Sequence, residues 1–164
     1  MQKNTYDKFD IIISDTSSIS NLMNINKLDL LKDLYNSITI TPEILDEYSK
    51  RFKEKLPDWI IIKEAKNKEK IKELNKDLGL GEASAIAYAL ENPNTLIIID
   101  DQDAKMYAAE IGLPVIGTIG IIRQAVDRNI IKNKIEANNL FDELRNTGAR
   151  ISDKLLNAIK YPME

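Results

Sequence analysis

The chain has 164 residues, of which 43% are apolar and 30% charged, with a formal net charge of −3 and neither cysteine nor histidine. That is enough chain for one domain with a real core, and it excludes disulfides, thiolate metal sites and cysteine nucleophiles. It equally excludes a Ser-His-Asp triad, a histidine base and a histidine-held zinc, so any hydrolysis must rest on carboxylates, lysine, hydroxyls or an oxygen-bound metal.

Hydrophobic periodicity predicts alternating strands and helices. Residues 10–14 read as a short buried strand, followed by two short helices over 18–24 and 27–36, the second carrying Leu28, Leu31, Leu34 and Tyr35. Ile38-Thr39-Ile40 is a minimal strand, and 42–52 a helix with Thr41 as cap and Pro42 at its first position. Trp59 to Ile62 is a third strand. The Lys/Glu-rich stretch 63–78 has Ile71, Leu74 and Leu78 as its apolar stripe and reads as a solvated helix, the other reading being a basic flank for phosphates. A helix over 82–91, a strand over 95–99 and a helix over 102–111 come next, the last ended by Gly112 and Pro114. Val115-Ile116 is a very short fifth strand, and 118–128, 133–145 and 152–160 are closing helices. The expectation is a single domain over 1–164 with no linker or repeat. No apolar stretch is long enough for a membrane span, and Met1-Gln2-Lys3-Asn4 carries no apolar leader, so the expected location is cytoplasmic. Neither a Walker loop nor a Gly-x-Gly-x-x-Gly turn occurs.

Acids stand where such a fold gathers ligands, at the C-terminal strand ends and adjacent helix starts. Asp15 closes the run Ile11-Ile12-Ile13-Ser14, and Asp100 and Asp101 close Leu96-Ile97-Ile98-Ile99, with Asp103 next. Asp15 fits a helix cap as well as a ligand, and Thr16 and Ser17 beside it supply hydroxyls. Capping accounts for one acid among Asp100, Asp101 and Asp103, but not readily for all three. Glu82 falls on one helical face with Ile86, Ala89 and Leu90, which predicts an inward carboxylate that needs a partner. Glu47 projects nearest the stripe Ile44, Leu45, Tyr48 and Phe52, whereas Glu43 and Asp46 point into solvent. Several acids without fixed partners repel one another, and a hard cation such as Mg²⁺ or Mn²⁺ is their natural relief. Such an ion activates water against a phosphodiester. The charge of −3 runs against a nucleic-acid partner. With four acids assigned to one site, however, local patches decide more than the total. Lys50, Arg51, Lys53 and Lys105 are then candidate phosphate-backbone contacts, with Arg123 and Arg128 further off.

Four segments in order carry a resemblance: Ile13-Ser14-Asp15-Thr16-Ser17-Ser18, Thr41-Pro42-Glu43-Ile44-Leu45-Asp46-Glu47, Gly79-Leu80-Gly81-Glu82-Ala83-Ser84, and Ile98-Ile99-Asp100-Asp101-Gln102-Asp103. Together with Gly112 to Gly120 and Gly148-Ala149-Arg150-Ile151-Ser152, the chain resembles the PIN-domain family, and more narrowly a PIN-like group described as predicted nucleic-acid-binding proteins. The resemblance implies a three-layer α/β/α fold around a central, mainly parallel sheet of four to five short strands. It implies a metal-dependent endoribonuclease using Mg²⁺ or Mn²⁺. Asp15, Glu47, Glu82 and Asp101 would be the catalytic acids. Asp15, Glu82, Asp101, Asp103 and Asp100 would be the metal set, and Thr16, Ser17 and Thr118 would support them. Between Asp100 and Asp101, one residue of register decides the main ligand, and the family pattern matches Asp101 better. Many relatives are toxins of toxin–antitoxin pairs, so an antitoxin protein and a homodimer are possible partners. The closing helices exceed those of a minimal PIN toxin. The alternative function is a catalytically weak or silent RNA- or protein-binding module on the same fold.

Overall fold

The structure is a computed structural model that describes residues 9–163. The Met1–Asn4 segment, read above as lacking a leader, lies outside the described residues. Among those described, no helix is long and apolar enough to cross a membrane.

β1 (Ile11–Ser14) starts the sheet, followed by α1 (Thr16–Asn24), α2 (Asp29–Tyr35), β2 (Ile38–Ile40), α3 (Pro42–Arg51) and β3 (Ile60–Ile62). The chain continues through α4 (Lys68–Leu74), α5 (Leu80–Glu91), β4 (Thr95–Ile98), α6 (Gln102–Glu110) and β5 (Val115–Ile116). It closes with α7 (Thr118–Asp127), α8 (Lys134–Asn146) and α9 (Asp153–Ile159). The strands form one all-parallel sheet in the order β3-β2-β1-β4-β5, with helices around it in a three-layer α/β/α arrangement. Parallel strands are covered on both faces, which is why β1 and β4 read as continuous isoleucine-rich runs rather than as alternating ones. Ile13, Ile38, Ile40, Ile97 and Ile98 are all fully buried, and Phe141 fastens α8 to the same core.

Because all strands run one way, their C-terminal ends share an edge. From β1 the chain winds outward to β2 and β3, then returns to β4 on the other side of β1 and moves out to β5. The gap between the ends of β1 and β4 is therefore the topological switch point, where a crevice opens. Ser14 is in register with Ile98, so the residues just beyond those two strands emerge side by side.

Three expectations are corrected. The helix in 63–78 spans only Lys68–Leu74, because the Glu91 carboxylate takes the backbone N–H groups of Lys66 and Asn67 (2.9 and 2.6 Å) and Asn67 then caps the helix. Its apolar stripe is as expected, with Ile71 and Leu74 buried. Leu90 is 43% exposed rather than inward, lying beyond the strip of α5 that meets the sheet. Glu43 is not solvated: one carboxylate oxygen is buried without a hydrogen-bond partner, and the other lies 3.9 Å from Lys68 Nζ. Two helices also start earlier than expected, α1 at Thr16 and α5 at Leu80, which puts Glu82 inside the first turn rather than at its start.

Candidate functional site

Asp15 follows β1 directly and is fully buried. Its extended backbone makes it the N-cap of α1, where Oδ1 accepts from the Ser18 N–H at 2.8 Å. Its second oxygen accepts from the Asp100 N–H at 3.3 Å, which ties the ends of β1 and β4 together. A carboxylate that serves as a cap is normally exposed and cheap to ionise. Here burial, and after it the facing Asp100 and Glu82 carboxylates, push Asp15 up to about 7.

Asp100 is half-buried and held from three directions. Asn21 Nδ2 donates to it at 2.7 Å, the Thr118 N–H donates at 2.7 Å, and the Thr118 hydroxyl makes a further short bond. Asn21 comes from α1 and Thr118 from the start of α7, so this carboxylate joins three elements. Gly117 makes room for it: a Cβ there would lie 2.6 Å from Lys105 Nζ and 2.9 Å from Asp100 Oδ1. The Lys105 ammonium and the Asp100 carboxylate thus flank the same glycine. Asp101 is exposed and caps α6, accepting from the Ala104 N–H at 2.9 Å. Asp103 is exposed in the first turn of that helix.

Glu47 bridges α1 and α5. It accepts from the Thr16 hydroxyl at 2.5 Å and from the Gly81 N–H at 2.9 Å. A Cβ on Gly81 would stand 2.7 Å from Glu47 Oε2, so glycine is what lets the carboxylate reach the helix end. An anion there is favoured by the unpaired N–H groups and the helix dipole. Glu82 is half-buried, with its carboxylate folded back over Gly79. Burial raises its pKa, with Glu47 and Asp101 adding to the rise while its own backbone N–H and Arg51 oppose it. The Thr41 and Ser84 hydroxyls, 2.6 Å apart, lock α3 to α5 behind these two acids.

These residues lie along one edge, where Asp15 faces Asp100 and Glu82, and Glu82 faces Glu47 and Asp101. Asp100, Asp101 and Asp103 line one end of a cleft of about 730 Å³, with Arg51, Lys105, Ser17 and Thr118 on its walls. Lys50 and Lys53 do not line it, and Lys50 pairs instead with Asp46 at 3.0 Å. Arg123 and Arg128 are spent on backbone carbonyls of Ile159 and Leu34. Sequence reasoning missed Asn21, Gly81 and Gly117. The polar stripe Ser17, Asn21, Asn24 on a helix whose other face is Ile19 and Leu22 was the available signal for Asn21.

A family model described as a PIN domain matches residues 11–163. The chain belongs to the PIN-domain family. No curated protein and no solved structure shows significant similarity to it. PIN domains are generally nucleases that bind nucleic acid and use divalent ions. The donor set of this PIN domain suits such an ion, being hard carboxylate oxygens that mutually oppose ionisation. Among the described residues, however, no three acids stand close enough together to hold a metal as they are placed, and each of Asp15, Asp100 and Glu47 is engaged by protein donors.

Proposed function

We propose that this PIN domain is a metal-dependent endoribonuclease whose acids hold Mg²⁺ or Mn²⁺. The observation that carries this reading is the pairing of Asp15 and Asp100 at the switch point. One carboxylate is fully buried and bonded to the other's backbone, and the second is fixed by Asn21 and Thr118. A fold that needed only a cap after β1 has no use for a second, triply anchored carboxylate opposite it.

Asp15, Asp100 and Glu82, which do not stand together as placed, would hold the ion once their side chains close on it, with Asp101 and Asp103 at the outer rim. When bound, such an ion supplies an acidified water and counter-charge for the phosphate. The other roles fall to the chain itself. Thr16 and the Gly81 N–H aim Glu47 at the site, where its carboxylate orients the attacking water by hydrogen bonding. Thr118 and Asn21 keep Asp100 from turning away. Arg51 and Lys105 contact the phosphates on either side of the scissile bond. The water oxygen bonds to phosphorus as the bond to the leaving ribose oxygen breaks. The Glu47 carboxylate takes the proton that the water loses and the leaving oxygen takes one from solvent water, so no histidine is needed. We take the domain to be one unit, α7 supplying Thr118 and α8 and α9 a wall of the cleft, and its location to be cytoplasmic.

Purified protein should cleave a mixed-structure RNA with Mn²⁺, fail to do so in EDTA, and lose the activity in Asp15→Asn. Cleavage retained in Asp15→Asn would sink the mechanism. A toxin role, with an antitoxin or a homodimer as partner, is the finer form of this reading. It expects growth arrest on induction of the wild type and none from Asp15→Asn.

A second reading is favoured by one observation, that Asp15, Asp100 and Glu47 are engaged by protein donors and no three acids stand together among the described residues. On that reading the chain is a catalytically weak or silent RNA- or protein-binding module. Tight RNA binding with no cleavage under any divalent ion would select it.

A further inference from the structure

The acids occupy only one end of the cleft. The other end lies between α1 and the α8–α9 connection and has a different chemistry. From α1, Ser20 and Asn24 line it. Ser20 is 7% exposed, and its hydroxyl is buried with no hydrogen-bond partner among the described residues. A buried hydroxyl left unpaired is costly, and a ligand edge is one natural partner for it. Asn24 ends the helix, exposed, and its amide has no partner among the described residues. The opposite wall is apolar. Leu144 and Ile151 are buried beneath it, and Leu155 is 40% exposed although it faces a cleft rather than the core.

Arg150 stands at the rim, exposed and without an ion-pair partner among the described residues. Its loop is nonetheless fixed. Arg145 pairs with Asp153, the Thr147 hydroxyl donates to the Glu143 carbonyl at 2.8 Å, and Ser152 caps α9 by accepting from the Leu155 N–H at 3.1 Å. The nearby acid Asp153 is therefore already occupied, and Arg150 is left facing the cleft.

We propose that this end of the cleft is a base-binding subsite, which takes one nucleotide of the strand whose phosphodiester lies at the acids and so gives the protein a base preference. The inference takes its ligand class from the ribonuclease reading. A nucleobase has a flat apolar face and a hydrogen-bonding edge, and the subsite offers an apolar wall opposite an uncommitted hydroxyl and amide. Leu155 and Ile151 meet the face of the base. Asn24 reads its edge, joined by Ser20 when its hydroxyl turns outward from its buried position. Arg150 binds the adjoining phosphate and carries no sequence information. The whole cleft is of the size that encloses a small ligand, about 300–1,000 Å³, not a duplex surface.

The test is fluorescence anisotropy with labelled single-stranded RNA pentamers, random except for one fixed central base, in EDTA. One base should bind at least about fivefold tighter than the weakest. Leu155→Ala should weaken all four bases about alike, and Asn24→Ala should bring that ratio below about twofold by weakening the preferred base. Ser20→Ala should act in the same direction without disturbing the helix. Arg150→Ala should weaken all four about tenfold and lower the salt slope by about one. Asn24, Leu155 and Arg150 are exposed, so these variants fold, as unchanged melting would verify. Equal binding of the four bases, a preference that survives Asn24→Ala, affinities that Leu155→Ala leaves unchanged, or no binding at all overturns the subsite. Because binding is read without metal, absent cleavage with an intact base preference fails the ribonuclease reading alone. Cleavage with uniform binding fails the subsite alone.

Discussion

Asp15 concentrates the electrostatic tension of the molecule in one side chain. Its ordinary value is 3.8 and the fold raises it to about 7, so between those values the folded protein holds a proton that the unfolded chain has released. Stability of the metal-free protein should therefore fall as pH rises through that window and level off above it, by up to roughly 4 kcal/mol in all. Urea titrations in EDTA at pH 4.5, 6 and 7.5 would measure this. In Asp15→Asn the slope should shrink and the variant should be the more stable protein at pH 7.5, since asparagine keeps the cap. An unchanged slope would mean that the charge is relieved elsewhere. Asp100 and Asp101 are separable by the same kind of exchange. Asp100→Asn should lower Mn²⁺-dependent cleavage by at least about 100-fold, and Asp101→Asn by about tenfold, the loss typical of an outer ligand. An equal or larger loss in Asp101→Asn would return the principal role to Asp101.

Helix ends do the positioning. The start of α1 supplies Asp15 and Thr16, the start of α5 receives Glu47 through Gly81, and the start of α7 grips Asp100 through Thr118. The unsatisfied N–H groups at these ends are what the carboxylates bond to, so the same contacts both cap helices and orient acids. Gly81→Ala separates the two effects. It adds helix propensity of up to about 1 kcal/mol while placing a Cβ where the Glu47 carboxylate now lies. Unfolding free energy should change by less than about 1 kcal/mol while cleavage drops about tenfold or more. A variant as active as the wild type would show that Glu47 need not hold this position.

At the scale of the whole molecule, ion binding at the acidic edge should couple to folding. A divalent ion that binds only the folded state stabilises it by mass action, about 2.7 kcal/mol at 100 times its dissociation constant. Ionised carboxylates bind better than protonated ones, so Mg²⁺ or Mn²⁺ should raise the melting temperature more at pH 8 than at pH 5. The gain should be lost in Asp15→Asn combined with Asp100→Asn. Melting indifferent to both ions at both pH values would leave the edge without a cation.

The order and type of the elements were written in local signals. Isoleucine runs gave the strands, Thr41-Pro42 the start of α3, and Gly112 with its positive φ the end of α6. The acids at the strand ends were visible too, because a parallel sheet sends all of those ends to one edge. What no local pattern contains is partnership. Asn21 lies 79 residues from Asp100, and Gly81 lies 34 from Glu47, and only the packing of α1, α3, α5 and α7 brings these donors to their carboxylates. The same holds for charge. Arg51 and Lys105 read no differently from Lys50 and Lys53 in the sequence, yet only the first two line the cleft. Sequence alone determined which groups have the chemistry. Tertiary structure decided which are buried, bonded or free, because desolvation and hydrogen bonding depend on neighbours that the chain brings from far away.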